Sequence, residues 1–131
     1  MDRRTFLAGL TATVPFAANA SADYTPGLVK KHLAQGDVVF LDFKASWCST
    51  CAAQERVIKK LKDGNPNYEA KITFIDVDWD TYGSSDLVKS MKIPRRSTLV
   101  ALKGDQELGR IVAQTSTASI KGLMDTALAA G

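Results

Sequence analysis

Cysteine is scarce in this chain: Cys48 and Cys51 are its two thiols among 131 residues, and His32 is its one histidine. Structural zinc takes four protein ligands, nearly always Cys and His, so this set builds no internal zinc site. The same scarcity argues against a Cys–His hydrolase. His32 falls in the wrong segment to act as its base, and no third orienting group accompanies it. Excess charge is missing too. The formal net charge is +3, and the basic pairs Lys30-Lys31, Lys59-Lys60 and Arg95-Arg96 are scattered as solvated faces, which argues against nucleic acid as a partner. Asp76-Val77-Asp78-Trp79-Asp80 lacks the glycine and terminal glutamate of a calcium loop. No internal repeat and no low-complexity tract occurs.

What remains is enough for one domain with a packed core, since hydrophobic residues make up 45% of the chain. Residues 1–22 stand apart from it. Arg3 and Arg4 give a positive start, and an apolar run follows from Phe6 through Phe16-Ala17-Ala18. Small residues then offer cleavage at Ala18-Asn19-Ala20 or Ala20-Ser21-Ala22. The run is too short to span a bilayer, so it reads as an export signal, cleaved near Ala20 or Ala22, with residues 23–131 as the folded domain. Asp2-Arg3-Arg4-Thr5-Phe6-Leu7 resembles a twin-arginine signal, departing from it at Asp2 and Ala8; the general secretory route stays open. The destination is the periplasm, where disulfides persist.

Along the rest of the chain, Thr25-Pro26 is expected to open a first helix that carries Leu28, Val29, His32 and Leu33. Val38–Phe43 is a near-continuous apolar run, typical of a strand buried on both faces, with one charge in it, Asp42. From Ser49 to Leu61 the pattern is helical, with Ala52, Val57, Ile58 and Leu61 inward and Lys59, Lys60 and Lys62 outward. A turn over residues 64–67 leads to a second strand, Ile72–Asp78. A short helix over 85–91 follows, then a hairpin of strands 98–102 and 107–113. Ser116 or Thr117 caps a last helix burying Ile120, Leu123, Met124 and Leu128. Strands separated by helices are expected to be parallel neighbours, and the terminal hairpin antiparallel.

Cys48 and Cys51 sit where the buried strand meets a helix. At a helix N-terminus, unpaired N–H groups and the positive dipole end favour a thiolate. A free thiol of pKa ~8.5 falls to about 7 or lower in such a place. Cys48 is then the attacking sulfur, exposed to solvent, and Cys51, one turn in, resolves the mixed disulfide. A merely structural bridge is disfavoured, because so short a loop constrains little of the unfolded chain.

Val38-Val39-Phe40-Leu41-Asp42-Phe43-Lys44-Ala45-Ser46-Trp47-Cys48-Ser49-Thr50-Cys51 resembles the strand and active-site loop of thioredoxins. Ile72–Asp80 resembles their central strand, and Ser97–Gly104 their late strand and hairpin. The resemblance implies an α/β thioredoxin fold, with a mixed central sheet of about four strands and helices on both faces. It implies a thiol–disulfide oxidoreductase, most similar to periplasmic thioredoxin-like reductants. Asp42 becomes the buried carboxylate that exchanges protons with Cys51, and Trp47, Arg96, Ser97 and Thr98 become the substrate-binding side. Asp76 and Asp78 lie on the strand beside Asp42, where a like charge would raise its pKa. Partners are protein thiols or disulfides and an upstream membrane or periplasmic electron donor. The chain is expected to be a monomer without cofactor or nucleic acid.

Two departures from the family pattern matter. Ser49-Thr50 replaces the common Gly-Pro between the cysteines, and no histidine lies there, which favours a reductant over a strong oxidant. Counting back from Lys103-Gly104, Ser97 falls where thioredoxins carry a cis-proline, unless Pro94 reaches the site through a longer loop. A non-proline cis bond costs ~3–4 kcal/mol, so Arg96–Ser97 is expected to be trans, with its N–H and hydroxyl near Cys48. That hydroxyl, with Arg95 and Arg96, would stabilise the thiolate or select an acidic partner. The rival reading is a periplasmic module that binds or delivers copper or an iron–sulfur cluster through the same cysteines.

Overall fold

The computed structural model describes residues 21–131, so the segment expected to be an export signal lies, up to Ala20, outside the described residues. The strand expected over 38–43 is β2, Val38–Lys44, which follows helix α1, Leu28–Ala34, and a two-residue strand β1, Ala22–Asp23. Only Lys44 of β2 reaches solvent, as its unbroken apolar sequence requires. Successive side chains of a strand face opposite ways, and each face of β2 finds a helix layer. Val38 and Phe40 point into a core shared with Ile58, Tyr68, Ile120 and Met124, while Val39, Leu41 and Phe43 meet Val29, Val88 and Ile93. Asp42 keeps the phase of Phe40 and so turns its carboxyl toward the first of these layers.

Helix α2 runs from Ser49 to Gly64 and α3 from Asn67 to Lys71. Strand β3, Ile72–Asp78, leads into α4, Trp79–Tyr82, and α5, Asp86–Met91; β4 (Thr98–Lys103), β5 (Gln106–Val112) and α6 (Thr117–Ala130) complete the chain. Ser85 caps α5 by accepting from the Val88 N–H, and Ser116, not Thr117, caps α6 through the Ser119 N–H.

The five strands lie in the order β1-β3-β2-β4-β5. β3 is parallel to both β1 and β2, whereas β4 is antiparallel to β2 and to β5. This corrects the expectation of parallel neighbours on either side of every helix: β3 and β4 are not adjacent. The two short helices between them cannot carry the chain back down the sheet, because six helical residues rise only ~9 Å and a seven-residue strand spans ~23 Å. The chain therefore re-enters the sheet at the end it left, with Thr98 opposite Phe43. That reversal delivers Ser97 beside the loop that follows β2.

Smaller differences have local causes. Thr25 does not cap α1; Gly27, at φ 91°, occupies that position and no side chain caps it. The turn expected over 64–67 closes quickly into α3, which buries Tyr68 beneath α6, where its hydroxyl donates to Asp125. On α2 the inward stripe is Cys51, Gln54 and Ile58, at helical spacing, and Ala52 is exposed. Lys62, expected outward, lies over the Phe74 ring at 3.8 Å and pairs with Glu69.

Candidate redox site

Cys48 is the N-cap of α2, and its sulfur accepts the Cys51 N–H at 3.1 Å. A thiolate there would have one backbone donor already in place, together with the helix dipole. Cys48 and Cys51 are joined as a disulfide, so the structure shows the oxidised pair. In this state Cys48 is 4% exposed and Cys51 1%. The leading sulfur is thus not open, as expected, but covered. Ala45 packs on the pair, as does the half-buried Trp79 of α4.

The main cover is Ser97, which is fully buried. Its hydroxyl lies 3.2 Å from the Cys48 sulfur and 3.1 Å from that of Cys51. Ser97, rather than Pro94, faces the cysteines, and no peptide bond among the described residues is cis. Its N–H does not point at Cys48. It donates to the Phe43 carbonyl at 2.7 Å, while the Ser97 carbonyl accepts from Ala113 N–H at 2.8 Å. These bonds hold Ser97 at φ 65°, a left-handed conformation that disfavours any residue with a Cβ.

Trp47 is 59% exposed. Its indole N–H donates to the Asp80 carboxylate, at 3.0 and 3.1 Å from the two oxygens. The Arg96 guanidinium stacks over the same ring at 4.6 Å, so Arg96 braces Trp47 and has no bond to sulfur. Arg95 donates to the Arg96 carbonyl. Thr98 is buried, and its hydroxyl donates to the Arg95 carbonyl at 2.7 Å, fastening the turn before β4. Asp78 turns outward, caps α4 and accepts from Thr81. His32 pairs with Asp37 at 2.9 Å, away from the cysteines.

Asp42 is 5% exposed, and one of its oxygens has no partner. It lines a cleft of about 660 Å³ with Glu55 and Ile58 of α2, one to two turns beyond Cys51, and with Asp76. Burial, then the neighbouring Asp76 charge, pushes the Asp42 pKa up to about 7. Asp76 stands opposite Asp42 in the β2–β3 register, and its own pKa is raised, chiefly by burial. Lys44 moderates this acidic group: it bonds Glu55 and lies 3.7 Å from Asp76.

Sequence reasoning missed three contributors. Gln54 is fully buried and gives both amide protons away, to the Ser97 carbonyl at 2.9 Å and the Gln114 carbonyl at 3.0 Å. Its spacing from Cys51 and Ile58 was the available signal. Lys44 and Glu55 carried no signal in the sequence, and only the packing of α2 over the sheet brings them to Asp42. Among the described residues no three His, Cys, Asp or Glu side chains gather as metal ligands.

The sequence profile of the thioredoxin family matches residues 22–126. Mitochondrial thioredoxin-3 of Saccharomyces cerevisiae is 31% identical over 91 residues, 70% of this chain and 67% of that protein. The thioredoxin of Coprinus comatus is 30% identical over 95 residues, 72% of this chain and 84% of that one. Among solved structures, Trxlp from Edwardsiella tarda superposes with a TM-score of 0.67 at 26% identity, over 79% of this chain and 98% of that one. The oxidised yeast thioredoxin 3 gives a TM-score of 0.63 at 27% identity, over 82% and 97%. With its cysteine pair bridged at the start of α2 and the family profile matched over residues 22–126, the chain belongs to the thioredoxin family and is a thiol–disulfide oxidoreductase acting on protein thiols and disulfides.

Proposed function

We propose that the chain works outside the cytoplasm as a reductant of protein disulfides. The observation that carries the reductant assignment is the environment of Cys48. A backbone N–H and a serine hydroxyl are aimed at its sulfur, and no histidine stands between the cysteines. A thiolate held by hydrogen bonds and a helix dipole is less favoured than one that also faces a cation. The disulfide is correspondingly less oxidising.

The reduced pair starts with Cys48 as thiolate. It attacks one sulfur of a client disulfide, forming the Cys48–client bond and releasing the other client sulfur as a thiolate. Cys51 then loses its proton, which Asp42 accepts, and attacks the Cys48 sulfur. The mixed disulfide breaks, the second client thiolate leaves, and the Cys48–Cys51 bridge forms. Two electrons pass to the client, and an upstream membrane or periplasmic donor must restore them. Trp47, held by Asp80 and Arg96, presents the exposed aromatic surface a client would meet.

Export is supported by the charged start, apolar run and A-x-A sites of residues 1–22. Ala22 pairs with Ile75 in β1, so cleavage after Ala20 would keep this strand whole, whereas cleavage after Ala22 would remove half of it. The mature protein is expected in a periplasmic fraction with Ser21 at its N-terminus, as intact mass would read. A cytoplasmic chain of full length would overturn export. Cys51→Ser is expected to accumulate a covalent complex with an exported client. Cys48→Ser should abolish dithiothreitol-driven insulin reduction, and insulin reduction that survives this change would sink the assignment of the attacking sulfur.

A further inference from the structure

We propose that Gln54 is a positioning residue for the redox centre, clamping the backbone of Ser97 so that its hydroxyl stays within hydrogen-bond reach of both sulfurs. This rests on the reading of Ser97 as the hydroxyl donor to the Cys48 thiolate, and it extends that reading to a residue which touches neither sulfur.

Gln54 is an unusual choice for its place. It is fully buried on the inward stripe of α2, between Cys51 and Ile58. Its carbonyl oxygen has no partner, and an orphaned buried acceptor is destabilising. A methionine would fill a similar volume without that penalty. What the amide adds is two donors, and both are used on backbone carbonyls from different segments. Ser97 precedes β4, and Gln114 lies two residues beyond the end of β5. The orientation is forced, since the flipped amide would set its oxygen against two carbonyl oxygens.

The clamped segments carry backbone strain. Ser97 is at φ 65°, and Ala113, which donates its N–H to the Ser97 carbonyl, is at φ 60°. Two side chains with Cβ atoms thus adopt left-handed backbone where the ends of β4 and β5 meet. Such conformations persist when the surroundings over-determine them. The Ser97 carbonyl receives two bonds, from Ala113 and Gln54, and its N–H is tied to Phe43. Release of the Gln54 bond lets the peptide relax toward ordinary φ and swings the hydroxyl off the sulfurs. Because Gln54 lies on the same helix as both cysteines, the clamp also fixes α2 against β4.

The test is the pH dependence of Cys48 alkylation in the reduced full-length domain, for wild type, Ser97→Ala, Gln54→Met and the double variant. A lost hydrogen bond to a thiolate should raise the Cys48 pKa by about one pH unit. Ser97→Ala is expected to show that rise, Gln54→Met a rise in the same direction, and the double variant no more than Ser97→Ala alone. An unchanged Cys48 pKa in Gln54→Met, with Ser97→Ala shifted, overturns the clamp and leaves the serine reading standing. No shift in Ser97→Ala overturns both. Additive shifts overturn the route through Ser97. Should Gln54→Met fail to fold, the unaltered domain still decides: the Gln54 side-chain amide protons must resist exchange with solvent and shift on reduction. Rapid exchange would refute the clamp.

Discussion

Asp42 is the residue whose chemistry depends most on its surroundings. On a solvated strand it would be ionised at neutral pH. Beneath α2, burial and the facing Asp76 bring its pKa to about 7, so it can take or give a proton under working conditions. In the proposed mechanism it must be ionised to accept the Cys51 proton, so resolution of the mixed disulfide should accelerate as pH rises through about 7. Asp42→Asn is expected to slow that step roughly 100-fold and to remove the inflection near neutrality, with stopped-flow decay of a fluorescent mixed disulfide as the readout. A variant that keeps both the rate and the inflection would show that the proton goes elsewhere. Ser97 teaches the complementary lesson. Its place beside the sulfurs could be counted from the hairpin, but the direction of its N–H could not, because that was settled by the Phe43 carbonyl.

At the scale of elements, the acidic cleft is a joint product of β2, β3 and α2. Lys44 closes β2, bonds Glu55 across to α2 and faces Asp76 on β3. Burial works to lower its pKa, but the bond to Glu55 and the carboxylates of Asp76 and Asp42 outweigh it, and the ammonium is held protonated. Lys44 in turn lowers the Asp42 pKa and Glu55 raises it. Two changes should therefore move the neutral inflection in opposite directions. Lys44→Met is expected to shift it upward and Glu55→Gln downward, each by roughly half a pH unit. Carboxyl resonances of Asp42 followed by NMR titration would check the pair, and shifts of the same sign would contradict it. The elements themselves were unevenly legible. β2 and α2 stood out, because an unbroken apolar run and a helical stripe are strong signals. α3 and α4 did not, because Asn65-Pro66 reads as a turn and Trp79–Tyr82 is a single turn of helix.

For the whole molecule, raised and lowered carboxyl pKa values act on stability with opposite signs. Asp125, bonded by Lys121 and Tyr68, and Glu107, bonded by Arg110, have lowered pKa values. Their contribution is present above the unfolded carboxylate pKa and is lost as pH falls through the folded one. Asp42 and Asp76 are raised. Their contribution is complete below the unfolded pKa and is lost as pH rises, for Asp42 through about 7. Urea unfolding should thus find maximum stability on the acid side of neutrality. Asp42→Asn should flatten the decline above it, by at most on the order of 4 kcal/mol. A wild type whose stability is level between pH about 5 and about 8 would show that Asp42 is not buried as a charge.

The amino-acid sequence by itself determined the strand–loop–helix that carries the cysteines, the start of a helix at Cys48, and one carboxylate, Asp42, within a buried strand. These are local matters of apolar periodicity and helix-end electrostatics, which short segments specify alone. The tertiary structure decided the rest. Whether β4 ran parallel or antiparallel, how far Cys48 was covered, what Gln54 was for and which charges reached Asp42 all depended on segments tens of residues apart meeting. Such meetings are set by the packing of layers and the reach of connecting helices, which no single stretch of chain encodes.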